Sequence, residues 1–203
     1  MKALPYLLLF LLILSCKQVP EIKETSFKVE RKPVKPVVAD SAMVVSARKE
    51  ASKIGVEILK KGGNAFDAMI ATEMALAVTY PYAGNLGGGG FIVYRTQYGE
   101  LGSIDYRERA PKAAGRDMYL DDNGVYNTEQ SKTGGLAVGV PGTIAGIFAV
   151  HEKLGSLPME VILQPVIDLA NSGFALTEDQ VDRFNEYGPI FKEVNGEESI
   201  YTK

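Results

Sequence analysis

The sequence predicts an α+β protein, in which helices and a strand hairpin form packed layers behind an export leader and a tether. Three observations carry that prediction. Apolar residues recur at helical spacing from Ala51 to Leu59, and helix-opening prolines stand at Pro141 and Pro158. Two short runs rich in aliphatic and aromatic residues, Phe91–Thr96 and Leu101–Tyr106, flank a turn at Tyr98-Gly99-Glu100. The resulting order is strand, two helices, hairpin and then helices, without an internal repeat, which suits a layered mixed protein.

The leader comes first. Lys2 supplies a positive start, and Leu4 to Leu14 is almost unbroken apolar sequence. That stretch fits the apolar segment of a signal peptide and falls short of the roughly 20 residues a spanning helix needs. It closes on Ile13-Leu14-Ser15-Cys16, the aliphatic–small–cysteine pattern that bacterial lipoprotein signal peptidases read. Cys16, the only cysteine of the 203 residues, is therefore expected to carry a lipid anchor on an exported, periplasmic or cell-surface protein. A signal peptide cut nearby and an uncleaved anchor are the alternatives. With one cysteine, disulfides within the chain are impossible. Residues 1–15 are then the signal peptide and 16–40 a flexible tether carrying Pro20, Pro33 and Pro36, with the folded part at 41–203. The net charge of −3, one unit more negative without Lys2, gives no reason to expect nucleic-acid binding.

Within the folded part, Met43–Ala47 is a short apolar run that reads as a buried strand. Glu50–Lys61 follows as a helix with Ala51, Ile54, Ile58 and Leu59 on one face. Lys60 and Lys61 lie in its last turn, and Gly62-Gly63 ends it. Asn64 caps a second helix, Ala65–Thr79, whose Asp67 suits the positive N-terminal end. That helix is apolar nearly all round, which predicts burial on most sides. Pro81 ends it before the glycine-rich segment Gly84–Gly90 and the hairpin. Pro141 opens a helix to about Lys153, and Pro158 another to about Asn171, closed by Gly173. Thr177 and Gln180 form a capping box for a last helix to about Glu186.

The chemical motifs are sparse. The run Gly87–Gly90 cannot thread a dinucleotide-binding G-x-G-x-x-G, and no Gly-Lys-Ser/Thr follows it, so a packing role is the simpler reading. Ser46-Ala47-Arg48-Lys49 and Lys132-Thr133-Gly134 match two short motifs of penicillin-recognising serine enzymes, but the element between them is missing. The lone histidine, His151, reads as a surface or core-edge residue, and no G-x-S-x-G elbow accompanies it. Asp105-Tyr106-Arg107-Glu108-Arg109-Ala110-Pro111 ends the second hairpin strand, where binding residues tend to lie. On an extended chain Arg107 and Arg109 point to one side. An arginine there can grip a carboxylate with two parallel hydrogen bonds, or form a structural ion pair with Asp105 or Glu108. On chemistry alone both remain open.

Several segments, in this order, resemble the N-terminal part of the large subunit of the γ-glutamyltranspeptidase (glutathione hydrolase) family. They are Gly62–Ala68, Ala75–Pro81, Gly84–Phe91, Asp105–Pro111, Gly139–Thr143 and Gln164-Pro165. The resemblance covers Ser41 to about Tyr187. It implies the αββα sandwich of N-terminal nucleophile hydrolases, here only its N-terminal portion. It also implies cleavage of γ-glutamyl amides such as glutathione through a γ-glutamyl acyl-enzyme, with transfer to water or an amino acid or peptide acceptor, and no metal or cofactor. By position, Arg107 matches the arginine that holds the α-carboxylate of the γ-glutamyl group, and Arg109 is left as a residue that supports the site from behind or is structural. The nucleophile threonine and the small subunit belong to a part of the family pattern not found before Lys203. The chain therefore reads as a partial copy, inactive by itself and with strand edges open. A non-catalytic exported lipoprotein module that keeps only this half is the alternative. A related amidase with another acyl group, such as a cephalosporin acylase, is a third reading, and Arg107 argues against it.

Overall fold

The computed structural model describes residues 35–84 and 86–197. The expected signal peptide, Cys16 and most of the tether lie outside the described residues. Helix α1 spans Lys49–Lys60 and buries Ala51, Ile54, Gly55 and Ile58. It ends through Gly62, whose φ of 91° suits glycine. The N–H of Gly63 reaches the Ile58 carbonyl at 3.0 Å and that of Gly62 reaches Leu59 at 3.1 Å, closing the last turn.

Helix α2, Ala65–Thr79, begins where Asn64 Oδ1 accepts from the N–H groups of Phe66 and Asp67 at 2.8 and 3.0 Å. Asp67 Oδ2 returns the favour to the Asn64 N–H at 2.9 Å. As the all-round apolar pattern predicts, α2 is the central helix, packed against α1, α3 (Thr143–Leu154) and α4 (Met159–Ser172). Its Ile70, Ala71 and Ala75 are fully buried and join Ile58, Val150 and Ile162 in one core. Small residues set the α1–α2 spacing: a Cβ on Gly55 would overlap the Thr72 hydroxyl. Thr72 and Thr79, buried among these side chains, donate their hydroxyls to the Ala68 and Ala75 carbonyls at 2.7 and 2.8 Å.

Strands β1 (Phe91–Arg95) and β2 (Leu101–Asp105) pair antiparallel with Ile92 opposite Ile104, Val93 opposite Ser103 and Tyr94 opposite Gly102. Gly99, at φ 89°, makes the connection. Ile92 and Ile104 pack on the helical core, and Tyr94 meets Phe66 of α2 edge-on at 5.5 Å. The other face, with Phe91, Val93 and Leu101, looks outward.

Helix α5, Glu178–Asn195, completes the described elements. Gln180 Oε1 accepts from the Thr177 N–H at 3.1 Å, as the capping box predicts. Gln180 Nε2 donates to the Thr79 carbonyl at 2.7 Å, a buried bond that joins the start of α5 to the end of α2.

Three expectations need correction. Met43–Ala47 is not a strand: it has no regular structure, pairs with no neighbour among the described residues, and Met43 and Val45 are exposed. A strand is completed by its partner, and only Val44 of this run tucks against the core. The helix at Pro141 starts two residues later, at Thr143, because residues 139–141 are held extended by the pairing of Val140 with Arg109. The last helix runs past Glu186 to Asn195 and takes Gly188 and Pro189 within it. A proline inside a helix forfeits its own hydrogen bond, and the turns on either side continue here.

Candidate functional site

The end of β2 is clasped between two stretches of chain. On one side the Tyr106 N–H donates to the Gly90 carbonyl at 2.9 Å. On the other, Arg109 and Val140 exchange backbone hydrogen bonds of 3.1 and 2.8 Å. The two flanks are themselves joined, since the N–H groups of Gly142 and Thr143 reach the Gly88 carbonyl at 2.9 and 3.1 Å. The expected packing role of the glycine run is visible here. A Cβ on Gly89 would stand 2.7 Å from the Arg107 Cα and from the Glu108 nitrogen.

On this support Asp105 and Arg107 project together. Arg107 Nε donates to Asp105 Oδ1 at 3.1 Å and Nη2 to Oδ2 at 2.8 Å, while the Arg107 backbone N–H also reaches Oδ1 at 3.1 Å. Both side chains are well exposed. The Arg107 side chain, with help from its backbone N–H, holds the Asp105 carboxyl down to about 2. The same contact pushes the guanidinium further up, so Arg107 is charged at any working pH. A guanidinium has five N–H donors in a fixed fork. Asp105 engages the Nε edge, which leaves the Nη1 hydrogens and one on Nη2 pointing away for a second carboxylate. The structural pairing with Asp105, one of the two readings open from chemistry, is thus present and leaves donors for the other.

Arg107 and Arg109 line one open depression of about 410 Å³ together with Asp105 and Glu108, as their i, i+2 spacing predicts. Tyr106, between them, turns inward and is half-buried against α3. Burial pushes its phenol up, and Glu73 of α2 adds to this; burial also raises the Glu73 carboxyl.

The other candidates have structural tasks. His151 Nε2 bonds the Leu157 carbonyl at 2.7 Å and so ties the α3–α4 connection. Ser46 Oγ donates to the Arg48 carbonyl and meets Ser52 Oγ, both at 2.8 Å, at the start of α1. Lys132 and Thr133 lie exposed in turns before a short 3₁₀ segment, Gly135–Ala137. Sequence reasoning missed Asp67 as a clamp. Fully buried, it accepts from the Ser156 hydroxyl and N–H at 2.5 and 3.0 Å. Burial alone would raise its carboxyl, but the hydrogen bonds from Ser156, Asn64 and Leu157 prevail and lower it. The sequence signal was Asn64-x-x-Asp67, which accounts for the cap but says nothing of the distant loop.

The sequence profile of the gamma-glutamyltranspeptidase family matches residues 51–203. The chain belongs to the γ-glutamyltranspeptidase family. It is 44% identical over 174 residues to the glutathione hydrolase proenzyme of Escherichia coli K12, a match that covers 86% of this chain and 30% of that relative. The crystal structure of Helicobacter pylori γ-glutamyltranspeptidase superposes with a TM-score of 0.75 at 39% identity, over 80% of this chain and 46% of that one. A cephalosporin acylase from Bacillus halodurans follows the same path with a TM-score of 0.65 at 26% identity, over 83% of this chain and 32% of that one. The α+β class of the N-terminal nucleophile hydrolases therefore holds for this γ-glutamyltranspeptidase chain. The chain spans less than a third of the length of its Escherichia coli relative.

Proposed function

We propose that this chain is the N-terminal, carboxylate-gripping part of an exported γ-glutamyltranspeptidase acting on glutathione or related γ-glutamyl amides. The observation that carries the reading is Arg107. It stands at a strand end, in an open depression, with N–H donors that Asp105 leaves unused, at the position where the family motif has its carboxylate-binding arginine.

In this reading the nucleophile is a threonine of the small subunit, supplied by sequence outside this chain. Its hydroxyl oxygen bonds to the γ-carbonyl carbon while its proton passes to a base, the threonine's own α-amine. The C–N bond then breaks and the amine leaves protonated. Water or an amino-acid or peptide acceptor attacks the acyl-enzyme next, which releases glutamate or a new γ-glutamyl amide. Arg107 takes no part in bond-making. It holds the α-carboxylate so that the γ-carbonyl is presented in one orientation. No metal or cofactor is needed for any step.

Replacing Arg107 with alanine in the complete enzyme removes charge-assisted hydrogen bonds worth about 3 kcal/mol, so KM for γ-glutamyl substrates should rise roughly 100-fold. An unchanged KM would sink the role given to Arg107. A cephalosporin acylase activity is the weaker reading, since such a substrate has no need of a γ-glutamyl carboxylate grip. A non-catalytic exported lipoprotein module is separated from the enzyme by the reading frame past codon 203. Continuation into a threonine-headed segment supports the enzyme, and a stop codon supports the module. Export on a lipid anchor at Cys16 is tested by labelling with a radioactive fatty acid: Cys16→Ala should take up none.

A further inference from the structure

We infer that Tyr106 is the positioning residue for Arg107, and that Gly90, Gly142 and Gly146 are glycines because they form the socket that holds it. The inference rests on the carboxylate-binding role of Arg107 and extends it to a side chain on the opposite face of the same strand end.

Successive side chains of an extended segment point to opposite sides. Asp105 and Arg107 turn outward and meet each other, and Tyr106 turns inward toward α3. There Gly90 and Gly146 leave the space that the ring fills, and Gly142 leaves room for the Tyr106 carbonyl. A Cβ on Gly146, in the middle of α3, would overlap the Cβ, Cγ and Cδ1 of Tyr106. One on Gly90 would stand 2.9 Å from Cε2 and 3.1 Å from Cζ. One on Gly142 would fall on the Tyr106 carbonyl oxygen itself.

None of the three has a positive φ. Backbone conformation therefore does not call for glycine at these positions; room does. The point is sharpest at Gly146, where glycine inside a helix is destabilising relative to alanine. A full-sized aromatic ring against the helix backbone is the compensating gain. The glycines come from two segments that are themselves joined by the bonds from Gly142 and Thr143 to Gly88. The ring is thus gripped from two sides, while the Tyr106 backbone N–H donates to the Gly90 carbonyl at 2.9 Å. Arg107 follows directly in the chain with its Cα pressed on Gly89. A methyl group added to the socket must move the Tyr106 ring, and with it the root of the Arg107 side chain. Misplacement of a positioning group by about 1 Å can cost as much as 100-fold.

The test uses the complete processed enzyme and two anilide substrates, γ-glutamyl p-nitroanilide and 4-aminobutyryl p-nitroanilide, which lacks the α-carboxylate. Gly146→Ala and Tyr106→Ala should each raise KM for the first about tenfold with kcat kept within about twofold, an effect of the size expected for partial loss of an oriented grip. KM for the second should not change, and Tyr106→Phe, which keeps the ring, should behave as wild type on both. In an Arg107→Ala background neither change should add anything. Tyr106→Leu, gentler on folding, should reproduce the KM effect where an alanine variant fails to mature. Equal losses on both substrates, or a full tenfold increment on top of Arg107→Ala, would overturn the positioning role. Should Arg107→Ala alone leave KM untouched, the Arg107 reading itself fails, and a Tyr106 effect that survives it then counts against this inference as well.

Discussion

The helical layer and the hairpin are built to different degrees of closure. Helix α2 is surrounded by α1, α3 and α4, and its Ile70 and Ala71 have no exposed surface. The hairpin has one covered face: Ile92 and Ile104 rest on the helices, while Phe91, Val93 and Leu101 on the other are 69, 77 and 78% exposed. The difference separates where the described part gets its stability from where its candidate site lies. Burial of apolar area is the main favourable term in folding, and most of it lies in the helices. The residues of the candidate site stand at the end of the less covered element, held there by backbone hydrogen bonds and close glycine contacts.

The comparison is most easily broken at its centre. Ile70→Ala should cost about 3–4 kcal/mol in denaturant unfolding, since it empties a fully buried site on the central helix. Val93→Thr on the outer face of the hairpin should change stability by less than about 0.5 kcal/mol. Equal effects would abolish the distinction.

Next in size is the clamp. Asp67→Ala should cost about 2 kcal/mol, because it removes a fully buried carboxylate that accepts from the Ser156 N–H and hydroxyl and from the Asn64 N–H. The folded-state value of Asp67 is lowered, so its contribution is present above the ordinary carboxylate range and is lost as pH falls through the folded value. Wild-type stability should therefore decline below about pH 4, and Asp67→Asn should flatten that decline. A thermal-denaturation series from pH 6 to pH 2.5 reads both.

The smallest expected effect on stability belongs to the site. Arg107→Ala breaks an exposed pair and should leave the unfolding midpoint nearly unchanged. It should nevertheless move the Asp105 titration, followed by carboxyl NMR, from about 2 up toward the ordinary range. A large stability loss here would place Arg107 in the framework rather than in the site.

How much of this was readable in the sequence depends on how local its cause was. The ends of α1 and α2 were legible because Gly62-Gly63 and Asn64-x-x-Asp67 act within one turn. The hairpin was legible from two runs and a glycine turn. Met43–Ala47 was misread because an apolar run becomes a strand only beside a partner. The far end of α5 was misread because Gly188-Pro189 has the composition of a stop, which the surrounding turns override. Arg107 was marked by its place at the end of β2, but its neighbours left an ion pair and a carboxylate grip equally open. The fit of Tyr106 against Gly146 was not legible, because the two meet only after α3 folds back onto β2.

The Asp105–Arg107 fork also bears on ionic strength. Screening at physiological salt acts over about 8 Å, and an exposed guanidinium standing alone would feel it fully. This one already carries a carboxylate, so the pair presents almost no net charge to the surrounding ions. A carboxylate bound there as proposed would be held by the direction of the remaining N–H donors more than by long-range attraction. Recognition at such a fork is short-ranged and tolerant of salt.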